Sequence, residues 1–152
     1  MSEQNIKLAS TVFYIGYFPA APGTVASLAG AMGYVVLHQH LVWYLLILAG
    51  VIYLGYTTGG QMEKICHQKD PGCIVIDEVA GVLIAYFLLP CTWPIFITTF
   101  FLFRAFDMFK IYPANKLEGL GGASGIMMDD MIAGVYTNLI MQVAVRWAGI
   151  FY

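Results

Sequence analysis

The stretch LVWYLLILAGVIYLGYTTG, residues 41–59, runs for nineteen residues without a charge. A helix needs roughly 20 apolar residues to cross the hydrocarbon core of a bilayer, so this segment predicts a membrane helix. Five further apolar segments flank it, at about 8–18, 25–37, 73–89, 94–109 and 131–151. Pro19, Pro22, Pro71, Pro90, Pro94 and Pro113 fall between these segments or at their edges, where helices start or stop. Segment 25–37 is short enough for a half-span or an interfacial helix, and 131–151 holds only Arg146, placed late enough to snorkel. The β-branched runs are short and do not alternate, which speaks against strands. The expected fold is all-α: a compact helical bundle, one domain over 1–152, integral to the membrane, with four or five helices crossing or deeply entering it.

Composition agrees. The chain is 60% hydrophobic and 11% charged, whereas a soluble domain carries about 25% charged residues. Too little charge is available to cover the surface, so lipid is the expected neighbour; a very apolar soluble oligomer is the alternative, and homo-oligomerisation is left open. Net charge is −2 and there is no basic run, so no nucleic-acid partner is expected. Cys66, Cys73 and Cys91 form no Cys-x-x-Cys and read as small core residues of a reducing compartment. The start, MSEQNIK, lacks the basic region and cleavage site of a secretory signal. Small residues recur four apart at Gly23, Ser27 and Ala31 and at Gly55 and Gly59, a spacing that lets helix backbones approach in lipid, beside the plainer reading of tolerated glycine. Two crossings would put the loop with Lys64 and Lys69 on the same side as the loop with Lys110 and Lys116, and the positive-inside tendency makes that side cytoplasmic.

The scarce acids are the informative residues. Asp77-Glu78 and Asp129-Asp130 form doublets beside or within apolar segments, and Asp107 is embedded in another. Asp77-x-x-Ala80-Gly81-Val82 repeats residue for residue in Asp130-x-x-Ala133-Gly134-Val135. Positions i, i+3 and i+4 share a helix face, so each stretch sets a carboxylate above an alanine–glycine patch. Two helices built alike can face each other and gather four carboxylates. Gathered carboxylates repel unless a positive charge lies between them, and hard divalent cations such as Mg²⁺ take such oxygen ligands. His38, His40 and His67 form no competing zinc pattern.

Arg104, Asp107 and Lys110 occupy one broad side of a helix. In one reading Arg104 only pairs with Asp107; in the other Asp107 faces the metal cluster while Arg104 and Lys110 meet a substrate anion. The glycine-rich GLGGASG, 119–125, runs into the Asp129 helix and offers amides, those of Gly121 and Gly122 among them, to an anion. In APGTVASLAG, 21–30, Thr24 reads as an N-cap, leaving amides and the hydroxyls of Thr24 and Ser27 near a helix start. Together these features describe a Mg²⁺-assisted phosphoryl site at a membrane surface.

PGTVASL (22–28), IVIDEVAG (74–81), FRAFDMFK (103–110) and GGASGIMMDDMIAG (121–134) stand in the order and spacing of the phosphatidylglycerophosphatase A family, which the chain resembles. The resemblance implies a bacterial Mg²⁺-dependent phosphatase of the inner membrane, acting on phosphatidylglycerophosphate with its site facing the cytoplasm. It puts Asp77 and Glu78 on the family's Asp-Glu pair, and Arg104, Asp107 and Lys110 on its Arg-x-x-Asp-x-x-Lys helix. Asp129 and Asp130 fall on its Asp-Asp pair, and Thr24 and Ser27 on its Pro-Gly-Thr turn. Asp77, Glu78, Asp129 and Asp130 are then the expected metal ligands. Asp129, Asp130, Asp107, Arg104 and Lys110 are the expected catalytic residues, and Thr24, Ser27, Gly121, Gly122, Arg104 and Lys110 the phosphate contacts. Two departures stand out: Ala26 replaces the usual glycine, and Ile111-Tyr112-Pro113 replaces Pro-x-Pro. Because the family resemblance extends to soluble, all-helical relatives of uncertain substrate, a soluble-type relative with another phosphomonoester substrate is an alternative reading. The rival reading is a small cation carrier or channel subunit using intramembrane carboxylates; Arg104 and Lys110 would obstruct a cation path.

Overall fold

The computed structural model describes residues 1–109, 112, 122–147 and 149. Among these residues there are six α-helices and no strand: α1 (Glu3–Ser10), α2 (Pro22–Leu37), α3 (Leu41–Cys66), α4 (Ile76–Tyr86), α5 (Trp93–Phe109) and α6 (Ala123–Arg146). A 3₁₀ turn, Ile15–Tyr17, lies between α1 and α2. The all-helical expectation holds.

Local chemistry sets several of these boundaries. Ser2 caps α1, its Oγ accepting from the Asn5 amide at 3.3 Å. At the start of α2, Pro22 fills the first position, where its missing N–H costs nothing. Ala21, in the left-handed region at φ 49°, is the residue before the helix, so Thr24 sits inside the first turn and is not the cap expected from the sequence. The start of α6 departs from expectation too. It begins at Ala123, with Gly122 at φ 74° before it, so residues 123–125 of the glycine-rich stretch are helical and Asp129-Asp130 lies at the end of the second turn.

The core is made where α4 and α6 cross, the most extensive helix contact in the fold. The repeated motif faces itself there. A methyl added to Gly134 would lie 2.3 Å from the Gly81 carbonyl oxygen, and one added to Gly81 would lie 2.6 Å from the Asp130 carbonyl oxygen. Only glycine allows this approach. The other small-residue stripes also serve packing: Ser27, Gly30 and Ala31 are buried, with Gly30 against Val79 and Val82 of α4, and Gly55 and Gly59 of α3 abut Met127 and Ala123 of α6. Tyr34 and Tyr86 stack at 4.5 Å, and Tyr34 Oη donates to the Leu89 carbonyl at 3.1 Å. Polar residues of α6 satisfy the carbonyls left open at the end of α4. Asn138 Nδ2 donates to Phe87 O at 2.7 Å, Gln142 Nε2 to Phe87 O at 2.9 Å and Arg146 Nη2 to Leu88 O at 3.3 Å.

One helix among the described residues, α3 with 26 residues, is long and apolar enough to cross a membrane. At 1.5 Å per residue it reaches about 39 Å. It turns Leu45, Leu46 and Tyr53 outward. The four or five spans expected from hydropathy do not appear by this measure. The 16 residues of α2 reach only about 24 Å, and the 11 of α4 less. The 24 residues of α6 include buried acids and the polar side chains that serve α4.

The long helices alternate in direction, and their charges segregate as a result. Glu63 and Lys64 near the end of α3, Asp77 and Glu78 at the start of α4, Arg104 and Asp107 in the last turns of α5, and Asp129 and Asp130 early in α6 share one end. The opposite end carries Arg146 and the exposed Trp43, Trp93 and Trp147.

Candidate metal and phosphate site

Three carboxylates from two helices converge at the charged end. Asp77, Glu78 and Asp130 each offer an oxygen, and these oxygens lie within 4.8 Å of one another. The α4 pair occupies the first helical turn, where the positive end of the helix dipole favours carboxylates. Asp130 is brought opposite them by the glycine crossing one turn further along each helix. Asp77 and Asp130 are buried, at 8% and 4% exposure, and Glu78 is half-buried.

Burial, and the negative charges crowded together, push these carboxyls upward. Burial is the main cause for all three. Glu78 acts next on Asp77, and Asp107 next on Asp130; both are raised well above the usual carboxylate range. Glu78 rises from 4.5 to about 7, with Arg104 and a hydrogen bond from Asp77 pulling against burial. Without a cation, then, burial and the neighbouring carboxyls favour the protonated forms of Asp77, beside Glu78, and of Asp130, beside Asp107. Asp77 Oδ1 and Glu78 Oε2 remain buried without a hydrogen-bond partner. Buried oxygens left in that state are costly unless something positive meets them. Opposite ligands of a small hard cation at ~2.1 Å stand ~4.2 Å apart, so the all-oxygen trio fits such an ion after ordinary side-chain movement.

Around the trio, α5 and α2 close the site. Arg104 Nη1 donates to Asp107 Oδ2 and, at 3.4 Å, to Ser27 Oγ. Arg104 therefore pairs with Asp107, as the plainer reading of this helix has it, and Asp107 also adjoins Asp130. Ser27 holds Arg104 and is fully buried, in place of the open hydroxyl expected from the sequence. Thr24 is half-buried in the first turn of α2. Asp129 is buried and accepts from the Asp130 amide at 3.0 Å; its charge bears on Asp77 and Asp130, but it is not one of the converging trio. Gly122 precedes α6, while Lys110 and Gly121 lie outside the described residues, as do Ile111 and Pro113. Ala26 is fully buried, so the methyl in place of the family's glycine is accommodated.

Gly23 is the residue the sequence reading underrated. A methyl there would lie 2.1 Å from Glu78 Oε1, so the bare backbone of α2 forms the wall against which Glu78 rests. Its four-residue spacing from Ser27 marks both as one helix face, but nothing in the sequence says which carboxylate that face meets.

Comparison with known proteins adds the family. The sequence model of the family described as "Phosphatidylglycerophosphatase A" matches residues 8–145. A Bacteroides thetaiotaomicron protein named "Putative phosphatidylinositol-3-phosphatase" is 34% identical over 150 residues, covering 92% of each chain. Two proteins named "Phosphatidylglycerophosphatase A" are similar as well. That of Escherichia coli strain K12 is 36% identical, over 88% of this chain and 80% of its own. That of Haemophilus influenzae is 33% identical, over 93% and 90%. No solved structure matches. A match over nearly the whole length, with the motif residues gathered at one end of the bundle, places the chain in the phosphatidylglycerophosphatase A family.

Proposed function

We propose that the protein is a Mg²⁺-dependent phosphatase that removes the terminal phosphate monoester of phosphatidylglycerophosphate, giving phosphatidylglycerol and phosphate at the inner-membrane surface. The observation that carries this reading is the buried trio Asp77, Glu78 and Asp130 with its orphaned oxygens, in a chain of this family. Asp77, Glu78 and Asp130 would hold the cation, with Asp129 as a further ligand or nucleophile. When bound, the cation neutralises charge on phosphoryl oxygens and makes water a better nucleophile. Arg104, steadied by Asp107 and Ser27, is placed to hold a phosphoryl oxygen, and Lys110 is assigned the same role by its place in the motif. Ser27 acts through Arg104; Thr24 and the amides of Gly121 and Gly122 are the remaining phosphate contacts.

The segregation of charge supports the membrane placement: α3 crosses, its neighbours enter around it, and the charged end stays at the cytoplasmic headgroup level. The three exposed tryptophans at the other end suit the far interface. The deciding assay is phosphate release from phosphatidylglycerophosphate with Mg²⁺ or with EDTA, beside phosphatidylinositol 3-phosphate as the competing lipid. Metal-independent release, or none from either lipid, defeats the proposal; faster release from the inositol lipid reassigns the substrate.

Two further results follow. The raised carboxyls bind protons in the folded, metal-free state that the unfolded chain has lost, so stability without metal falls as pH rises. For Glu78 the window runs from 4.5 to about 7. Thermal melts in EDTA should therefore give a higher midpoint at the acid end of that window, and Mg²⁺ should raise the midpoint much more at the neutral end; equal increments at both would oppose the assignment. Gly23→Ala should leave the melt of the metal-free protein intact, because the clash is with a flexible side chain. Displacing Glu78 should still weaken Mg²⁺ binding about 10- to 100-fold by calorimetric titration. Unchanged affinity would remove Glu78 from the cation shell.

A further inference from the structure

A brace at the end of α5 has no part in the chemistry assigned so far. Tyr136 of α6 is half-buried, its ring meeting that of Phe106 edge to face, with centroids 6.3 Å apart and planes at 69°. Its hydroxyl donates to the Tyr112 carbonyl at 3.0 Å. One side chain of α6 therefore touches both the last turn of α5 and the chain that leaves it. The direction of α6 explains this reach. Asp107 and Asp130 adjoin at the charged end, and α6 runs away from that end. A helical side chain leans toward its own N-terminus, so a residue beyond Asp130 points back toward the acids. Tyrosine is long enough to carry a hydroxyl past Phe106 to Tyr112.

Between the two contacts, in chain order, stands Lys110. It follows Phe109, the last residue of α5, and precedes Tyr112 by two residues. Met108 and Phe109 are exposed, so packing of their side chains does little to hold this stretch. Arg104, by contrast, is held by Asp107 and Ser27. Covalent geometry keeps the Lys110 Cα within about 7 Å of the Tyr112 Cα, so pinning the Tyr112 carbonyl restricts where the ammonium can stand. A lysine is a point charge on a flexible stem, and a cation helps a transferring phosphoryl group most when its position is fixed beforehand.

We propose that Tyr136 is a positioning residue: its hydroxyl, fixed on the Tyr112 carbonyl, holds the chain around Lys110 so that the ammonium meets the phosphoryl group. This rests on the phosphatase reading above, with Lys110 as a phosphate contact. Tyr136→Phe keeps the ring and its contact with Phe106 and removes only the hydroxyl, so the melt should stay within a few degrees of wild type. On phosphatidylglycerophosphate, kcat/KM should fall about 10-fold, within the scale of misplacing one catalytic group. In a Lys110→Met background the same substitution should cost less than about twofold, because nothing is left to position. A loss as large in Lys110→Met as in wild type, or no loss in either, overturns the proposal.

A second measurement does not depend on turnover. Lysine amines of the full chain in detergent are acetylated with acetic anhydride and read by peptide mass spectrometry. With Mg²⁺ present, inorganic phosphate should slow acetylation of Lys110 several-fold in wild type and have little effect on it in Tyr136→Phe, with Lys64 and Lys69 as indifferent controls. Equal protection of Lys110 in the two proteins overturns the brace even in an active enzyme. Protection that disappears with the hydroxyl, in a wild-type protein that hydrolyses no lipid phosphate, would instead sink the phosphatase reading alone.

Discussion

Gly134→Val should abolish the native bundle or leave it severely weakened. The first added carbon alone would stand 2.3 Å from the Gly81 carbonyl oxygen and 3.1 Å from Ile84 Cβ. The obstacle is backbone, which cannot rotate aside, so α4 and α6 must separate along their whole interface. Overpacking a tight core costs about 1–3 kcal/mol, and valine at a backbone contact belongs at or beyond the top of that range. Against a total stability of about 5–15 kcal/mol the loss is large. Gly50→Ala is the matched control: it too lies within a helix, but its added methyl meets nothing within 4 Å. It should be neutral or stabilise by about 0.5–1 kcal/mol. Thermal melts of the two variants in one detergent should move in opposite directions. A Gly134→Val midpoint within a few degrees of wild type would mean the helices do not meet at these glycines.

Asp130→Asn should separate stability from activity. The substitution keeps shape and hydrogen-bonding capacity while removing one buried carboxyl from the company of Asp77, Glu78 and Asp107. Without metal, the variant should melt at or above the wild-type temperature near neutral pH, because an amide needs no proton to sit neutral where burial and crowding oppose a carboxylate. Phosphate release should fall by more than about 100-fold, beyond the loss seen when only an outer partner of a metal ligand is removed. The thermal increment produced by Mg²⁺ should shrink with it. Near-normal turnover would take Asp130 out of the site. Lost turnover together with an undiminished Mg²⁺ increment would keep it in the chemistry but away from the cation. A gain in stability at the cost of function is the usual mark of a residue kept for its chemistry.

Much of this protein could be read from its residues in order. Hydropathy and proline placement gave the helices, because a chain with so little charge can satisfy its backbone in an apolar setting only by internal hydrogen bonds. The repeated Asp-x-x-Ala-Gly motif announced two similar helix faces, since spacing along a helix fixes which side chains share a side. The rarity of acids in apolar surroundings singled out Asp77, Glu78, Asp107, Asp129 and Asp130 before any fold was known. What spacing does not contain is distance between helices. Only packing decided that Gly81 meets Gly134, that Asp130 and not Asp129 joins the α4 pair, and that Ser27 is spent on Arg104. Only packing showed that Gly23 walls Glu78 and that Tyr136 reaches Tyr112. Each of these depends on which atoms exclude one another where two helices cross, a relation that no single stretch of sequence carries.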